Sequence, residues 1–185
     1  MIDMKRTDNL LPDIIAKDLD VVFCGINPGL SAAAAGHHFV RRSNRFWRVI
    51  HLAGFTPGEI RPENDHTILR YQCGLTTVVE RPTARADQLS KLEFAAAATG
   101  FEKKIAHYSP RFIAFLGKAA YCALSGQREI LWGRQSTGFG SSVVWVLPNP
   151  SGRNRAFGLD QLVSNYRQLY QAVNPELHNR TDITA

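Results

Sequence analysis

Cysteine is scarce in this chain: three residues, Cys24, Cys73 and Cys122, among 185. They are odd in number, far apart and in no Cys-x-x-Cys spacing, which excludes a disulfide framework and the common zinc patterns. Cys24 lies in an apolar run and Cys122 in a segment of helical period, so buried, reduced thiols are expected. With them goes an intracellular, cytoplasmic setting. No apolar run approaches the roughly 18 residues that cross a bilayer, so no membrane partner is expected. The N-terminal stretch MIDMKRTDNLLPDIIAKD mixes acids with bases and lacks an uninterrupted apolar stretch, unlike a secretory signal. Long blocks of like charge, internal repeats and low-complexity segments beyond short alanine runs are also missing. Neither G-x-G-x-x-G nor G-x-x-x-x-G-K-[ST] occurs, which removes both standard phosphate-cradling fingerprints.

What is present reads as one soluble domain over residues 1–185, with a core at about 20–173 and a polar, frayed tail at 174–185. A hydrophobic fraction of 44% and a charged fraction of 21% fit that class. The net charge of +6 suits a polyanionic partner without requiring one. Four runs rich in β-branched and aromatic residues, at 20–24, 75–79, 112–116 and 143–147, are continuously apolar, as strands covered on both faces are. Helical periods lie between them. Ser43 or Asn44 caps a helix carrying Phe46, Trp47, Ile50 and Ala53, stopped by Gly54. Pro62 opens a short helix to about Tyr71. Ser90-Lys-Leu-Glu93 is a capping box opening a helix to about His107. A short helix follows Gly117, and the last spans 159–173 with Leu162, Tyr166, Leu169 and Val173 on one face. Alternating strands and helices predict a three-layer α/β/α domain around a central four-stranded parallel sheet.

Ligands of such sheets bind beyond the carboxyl ends of the strands, which directs attention to two loops. Gly25-Ile-Asn-Pro-Gly29 follows the first strand and is either a tight structural turn or a place where backbone meets a ligand closely. Pro148-Asn-Pro-Ser-Gly-Arg-Asn-Arg155 follows the fourth. Its small polar groups, amides and guanidinium groups suit phosphates, and they equally suit a solvated loop.

The segments Val21-Val-Phe-Cys-Gly-Ile-Asn-Pro-Gly-Leu30, Asn44-Arg-Phe-Trp47, Leu116-Gly-Lys118 and Trp145-Val-Leu-Pro-Asn-Pro-Ser-Gly152 together resemble the mismatch-specific uracil-DNA glycosylase family. That family includes thymine-DNA glycosylases, whose Gly-His-His element is similar to Gly36-His37-His38. The resemblance runs from about Asp20 to Val173 and implies the uracil-DNA glycosylase fold. It also implies a monofunctional enzyme that flips uracil or a related pyrimidine lesion such as ethenocytosine out of double-stranded DNA and hydrolyses its glycosidic bond. G·U mismatches are the preferred substrate, and an abasic site is left.

The resemblance carries roles to single residues. Asn27 matches the catalytic asparagine; a neutral amide is a poor base, so it should orient water rather than deprotonate it. Phe39 matches the aromatic that stacks on the flipped base, and otherwise reads as core packing. Ile26 and Gly29 lie where loop backbone reads the pyrimidine edge. Asn149 stands where a side chain reaches the base O2, although it also suits a turn cap. Ala32 matches the small residue near C5, leaving little room for thymine's methyl group. Ser151, Gly152, Arg153 and Asn154 match the loop that enters the gap left by the flipped base, with arginine where relatives carry an apolar wedge. Arg155 and Lys118 are candidate phosphate contacts or solvated charges. Glu93 is either a capping residue or a supplementary carboxylate, and Lys91 would need burial to act as a nucleophile. Adjacent His37 and His38 diverge in an extended loop and have no acid or cysteine cluster nearby, so no metal and no cofactor are expected. The expected partner is damaged or mismatched duplex DNA, bound by a monomer in a bacterial, nucleoid-associated setting. The rivals are a mismatch- or abasic-site-binding protein with little turnover, and a glycosylase of shifted lesion range.

Overall fold

Each of the four apolar runs becomes a strand in the computed structural model, which describes residues 10–178. The strands are β1 (Val21–Gly25), β2 (Cys73–Thr77), β3 (Phe112–Leu116) and, after a further short strand, β5 (Val143–Leu147). β1, β2, β3 and β5 are mutually parallel in the order β2-β1-β3-β5. The four-stranded expectation needs one correction. A fifth strand, β4 (Gly133–Arg134), pairs antiparallel with β5 at the sheet edge. Two residues, Gly and Arg, carry no apolar run, so nothing in the pattern announced it.

Alternation along each strand sorts side chains into two layers. Phe23, Ala114, Leu116, Trp145 and Leu147 join one core cluster, whereas Cys24, Ile113, Phe115, Val144 and Val146 join the other. The first is covered by α2 (Phe46–Ala53) and α5 (Leu159–Val173), the second by α3 (Lys91–Tyr108) and α4 (Lys118–Ser125). The remaining helices are short: α1 (Leu30–Ala35) follows the first loop and α6 (Pro175–His178) follows α5. The 174–185 tail therefore begins with a helical turn, and its last residues, 179–185, lie outside those described.

Local signals explain the boundaries. The Asn44 side chain accepts from the Phe46 amide at 2.9 Å, and α2 stops at Gly54, whose φ of 108° suits only glycine. Ser90 and Glu93 form the reciprocal capping box of α3. The helix expected after Pro62 is a 3₁₀ segment, Pro62–Tyr71, kinked at Asn64. Strands β1 and β2 are displaced by one and two residues from the apolar runs. Val78 and Val79 lie past β2 but still donate to the carbonyls of Gly25 and Ile26. The core also reaches earlier than residue 20, because Ile14 exchanges backbone bonds with Leu75 and Leu11 is buried. All three cysteines are unpaired; Cys24 and Cys73 are buried, but Cys122 is half-buried, contrary to expectation. Burial pushes the Cys73 thiol up to about 12 and the Cys24 thiol well above its ordinary value, which makes both poor nucleophiles. Among the described residues no helix is long and apolar enough to cross a membrane.

Candidate active site

The strand order reverses direction around β1: β2 lies on one side of it and β3 on the other. Loops leaving the carboxyl ends of β1 and β3 must part there, and a crevice opens between them. The loop after β5 closes the crevice from the far side. A cavity of about 270 Å³ results, lined among others by Ile26, Asn27, Gly29, Ala32, Phe39 and Asn149. Ser151 and Arg153 also reach its wall. The structure thus brings the base-pocket residues expected from the sequence to one place.

Asn27 is held in a single orientation. Its Nδ2 donates to the Arg81 carbonyl at 2.7 Å and to Thr83 Oγ1 at 2.8 Å. A carbonyl only accepts, so the amide nitrogen must face Arg81. The Thr83 hydroxyl proton goes to the Arg85 carbonyl at 2.8 Å, so its lone pair must receive Asn27. Both amide protons are therefore committed, and Oδ1 accepts no hydrogen bond from the described residues. Backbone bonds fasten the same segment to the first loop: the Thr83 amide donates to the Pro28 carbonyl, and the Leu30 amide donates to the Thr83 carbonyl. Gly29 caps α1 in extended conformation, and a Cβ built on it would meet nothing within 4 Å. Packing does not demand glycine there.

Phe39 stacks on Phe46 with centroids 4.1 Å apart, so one ring face is core and the other is left for the cavity. Phe39 is thus core packing on one side and cavity wall on the other. Its φ of 56° is uncommon for a bulky side chain. The neighbours that enforce it are His37 and His38, gripped by buried Asp65, which takes the His38 amide at 2.8 Å and His37 Nδ1 at 3.4 Å. His38 Nε2 donates to the Pro12 carbonyl, and burial holds its imidazole below the usual histidine value. Ala32 is buried on α1 against the cavity.

The second loop is braced throughout. Asn149 is a turn cap, its Oδ1 accepting from the Ser151 amide at 2.9 Å while Nδ2 donates to the Leu116 carbonyl at 3.3 Å. The second Nδ2 proton has no partner among the described residues. The Asn154 side chain donates to the Asn149 carbonyl, so it is tied into the loop. A Cβ on Gly152 would stand 2.5 Å from the Ser43 carbonyl, so only glycine fits that close approach. Arg153 is exposed at the mouth, where its guanidinium donates to the Ala84 carbonyl at 3.3 Å across the cavity. Arg155 is exposed. Lys118 lies with its ammonium 4.6 Å from the Trp132 ring centre, an aromatic contact the sequence reading did not foresee.

Glu93 is fully engaged as a cap and as the partner of Arg81 Nε at 2.6 Å. The Arg81 guanidinium holds its carboxyl down at about 2. Such a carboxylate is too weak a base to activate water near neutrality. Lys91 is exposed, which removes the desolvation a nucleophilic lysine needs.

Three site residues escaped the sequence reading. Thr83 and the Arg81 carbonyl orient Asn27 from more than fifty residues along the chain, and no motif marks them. Arg45 donates to the carbonyls of Pro150, Ser151, Asn154 and Phe157, at 2.7–3.3 Å. Its place in Asn44-Arg-Phe-Trp47 was visible, but its partners lie more than a hundred residues away.

The sequence profile of the uracil DNA glycosylase superfamily matches residues 12–178. Among solved structures, the chain is similar to the solution NMR structure of a candidate uracil DNA glycosylase from Methanosarcina acetivorans. The two share 18% identity with a TM-score of 0.60, over 88% of this chain and 98% of the other. At that identity the likeness speaks for a common α/β fold.

Proposed function

The chain belongs to the uracil-DNA glycosylase superfamily, and from that premise we propose a mismatch-specific, monofunctional glycosylase. It releases uracil and related pyrimidine lesions such as ethenocytosine from double-stranded DNA, prefers G·U pairs, and leaves an abasic site. The observation that carries the reading is Asn27: both amide protons are tied to Arg81 and Thr83, so Oδ1 is the end presented to a water. At about 270 Å³ the cavity lies at the small end of ligand sites, which run from about 300 Å³ upward, and suits one extruded base.

In this reading Phe39 stacks on the flipped pyrimidine, Ala32 crowds C5 against a methyl group, and the spare Nδ2 proton of Asn149 meets the base O2. Backbone at Ile26 and Gly29 lines the pyrimidine edge. The N1–C1′ bond breaks with its electron pair leaving on the base, the oriented water adds to C1′, and its proton passes, directly or through solvent, to the departed base anion. Asn27 is no base, so acceleration rests on separating charge in a preorganised pocket, which favours good leaving groups. The chemistry calls for no metal or cofactor. Arg153 leaves Ala84 to fill the gap in the duplex, with Ser151, Gly152 and Asn154 shaping the loop and Arg155 at the phosphates. The enzyme acts as a monomer in a bacterial cytoplasm.

The test is base release from a G·U duplex by wild type and Asn27→Ala. A fall of roughly a hundredfold or more is expected, as for loss of a positioned catalytic group. Undiminished release would remove Asn27 from the mechanism. Tight duplex binding without release by the wild type would replace this reading with a mismatch- or abasic-site-binding protein.

A further inference from the structure

The turn before β4 presents two adjacent exposed apolar side chains. Leu131 is 78% exposed, and its neighbour Trp132 is 38% exposed. A single exposed leucine means little, but this pair is held out rigidly. Ile130, just before it, is buried in the core. The Gln135 side chain donates to the carbonyls of both Leu131 and Gly133 at 2.9 Å, which locks the turn. The Trp132 ring stands edge-on to Phe157 at 5.3 Å with Lys118 over its face.

Register explains where the pair points along the sheet. β4 is antiparallel to β5 with Gly133 opposite Val146 and Arg134 opposite Trp145. Read backward from Gly133, the chain passes the carboxyl end of β5 and comes level with the loop that begins at Pro148. Lys118 follows β3, and Phe157 follows the second loop. The pair therefore sits on the same edge as the cavity, on the outer flank of the second loop, with Lys118 over the Trp132 ring.

We propose that Leu131 and Trp132 form a second DNA contact, seated on the deoxyribose face of a nucleotide flanking the extruded base. This rests on the glycosylase reading and adds a site to it. An apolar pair with the Lys118 cation held against it fits a surface that alternates apolar sugars with phosphates. The Lys118 ammonium, held on the indole, is placed to meet the adjoining phosphate. A rigid turn adds little ordering cost on binding.

The probe is a duplex with an abasic-site analogue opposite guanine, titrated by anisotropy against wild type, Leu131→Asp, Leu131→Met and Leu52→Asp. Leu52 is an exposed leucine near the other end of α2, and its variant adds the same charge away from this edge. Leu131→Asp should weaken binding roughly tenfold, the size of one good apolar interface contact. Leu131→Met and Leu52→Asp should stay within about twofold. Trp47 and Trp145 are buried, so a duplex-induced change in tryptophan emission that Trp132→Phe abolishes supports the contact. Equal affinities for Leu131→Asp and wild type, with uracil release by the wild type intact, overturn this proposal alone. Failure of the wild type both to bind and to release uracil removes the glycosylase reading and this one together. A wild-type dimer that Leu131→Asp dissociates assigns the face to a second copy of the chain and overturns the DNA contact.

Discussion

An asparagine can accept from a water, and so leave that water's lone pair free to attack, only through its oxygen; what matters at Asn27 is which end of the carboxamide faces the cavity. Arg81 and Thr83 decide this by taking both amide protons. Thr83→Val keeps the volume, removes one acceptor and frees the carboxamide to rotate. Its stability cost should be about 1 kcal/mol, that of one hydrogen bond. Its kinetic cost should fall on kcat rather than KM, by roughly tenfold, because the water and not the base loses its partner. Single-turnover release from a G·U duplex reads this directly, and Thr83→Ser should restore the rate. A Thr83→Val rate equal to wild type would show that Asn27 needs no such holding. At this scale the sequence was legible wherever a residue's place follows from its own motif: Asn27, Phe39 and Ala32 all line the cavity. It was silent where a residue acts through a partner distant along the chain. Arg45 and Thr83 drew no role from the sequence, because their partners are brought to them only by the fold.

Among elements, those bounded by chemical signals were read well. β3, β5 and α5 match the apolar runs and the helical stripe that predicted them, and the capping box of α3 forms as its Ser-x-x-Glu spacing dictates. Elements made by pairing alone were missed: β4 exists because β5 offers an edge, and α1 is a single alanine-rich run with no polar face. The α3 cap also does more than end a helix. Glu93 joins Ser90 to Arg81, and the Arg81 carbonyl holds Asn27, so the start of α3 buttresses the first loop. The Glu93 carboxyl is depressed to about 2 in the folded chain. A depressed carboxyl stabilises the fold above its unfolded value and loses that contribution as pH falls through the folded one. The stability difference between wild type and Glu93→Gln should therefore be constant near neutrality and shrink between about pH 4.3 and 2. Urea unfolding across that range measures it, and a difference independent of pH would dismiss the Arg81 pairing. Base release by Glu93→Gln should show no altered pH limb near neutrality, since Glu93 is already ionised there.

At the scale of the molecule, the sheet does little more than hold two loops on one edge, and separate braces fix each loop. The post-β2 segment fastens the first. Arg45, at the start of α2, and Tyr166, on α5 and donating to the Pro148 carbonyl at 3.1 Å, fasten the second. Among the described residues the long Arg153–Ala84 hydrogen bond alone crosses the mouth between them, and one exposed hydrogen bond is weak enough to yield to the proposed duplex. Rigid loops with a loose crossing suit a site that must admit a base and then hold it without further ordering. Arg45 is the most exposed point of this design to mutation, because one guanidinium serves four carbonyls and no lysine can reproduce its fork. Arg45→Ala and Arg45→Lys should both remain folded, with Tm lowered by about 2–4 °C for each kcal/mol lost. Both should lose roughly tenfold or more in duplex excision, where a shaped insertion loop must hold the gap open. Uracil release from single strands, which need no opening, should fall far less. Calorimetry and paired single-turnover assays separate the two effects. An equal loss on both substrates would make Arg45 a general structural residue, and no loss on either would leave the second loop shaped by Tyr166 and its own turn caps.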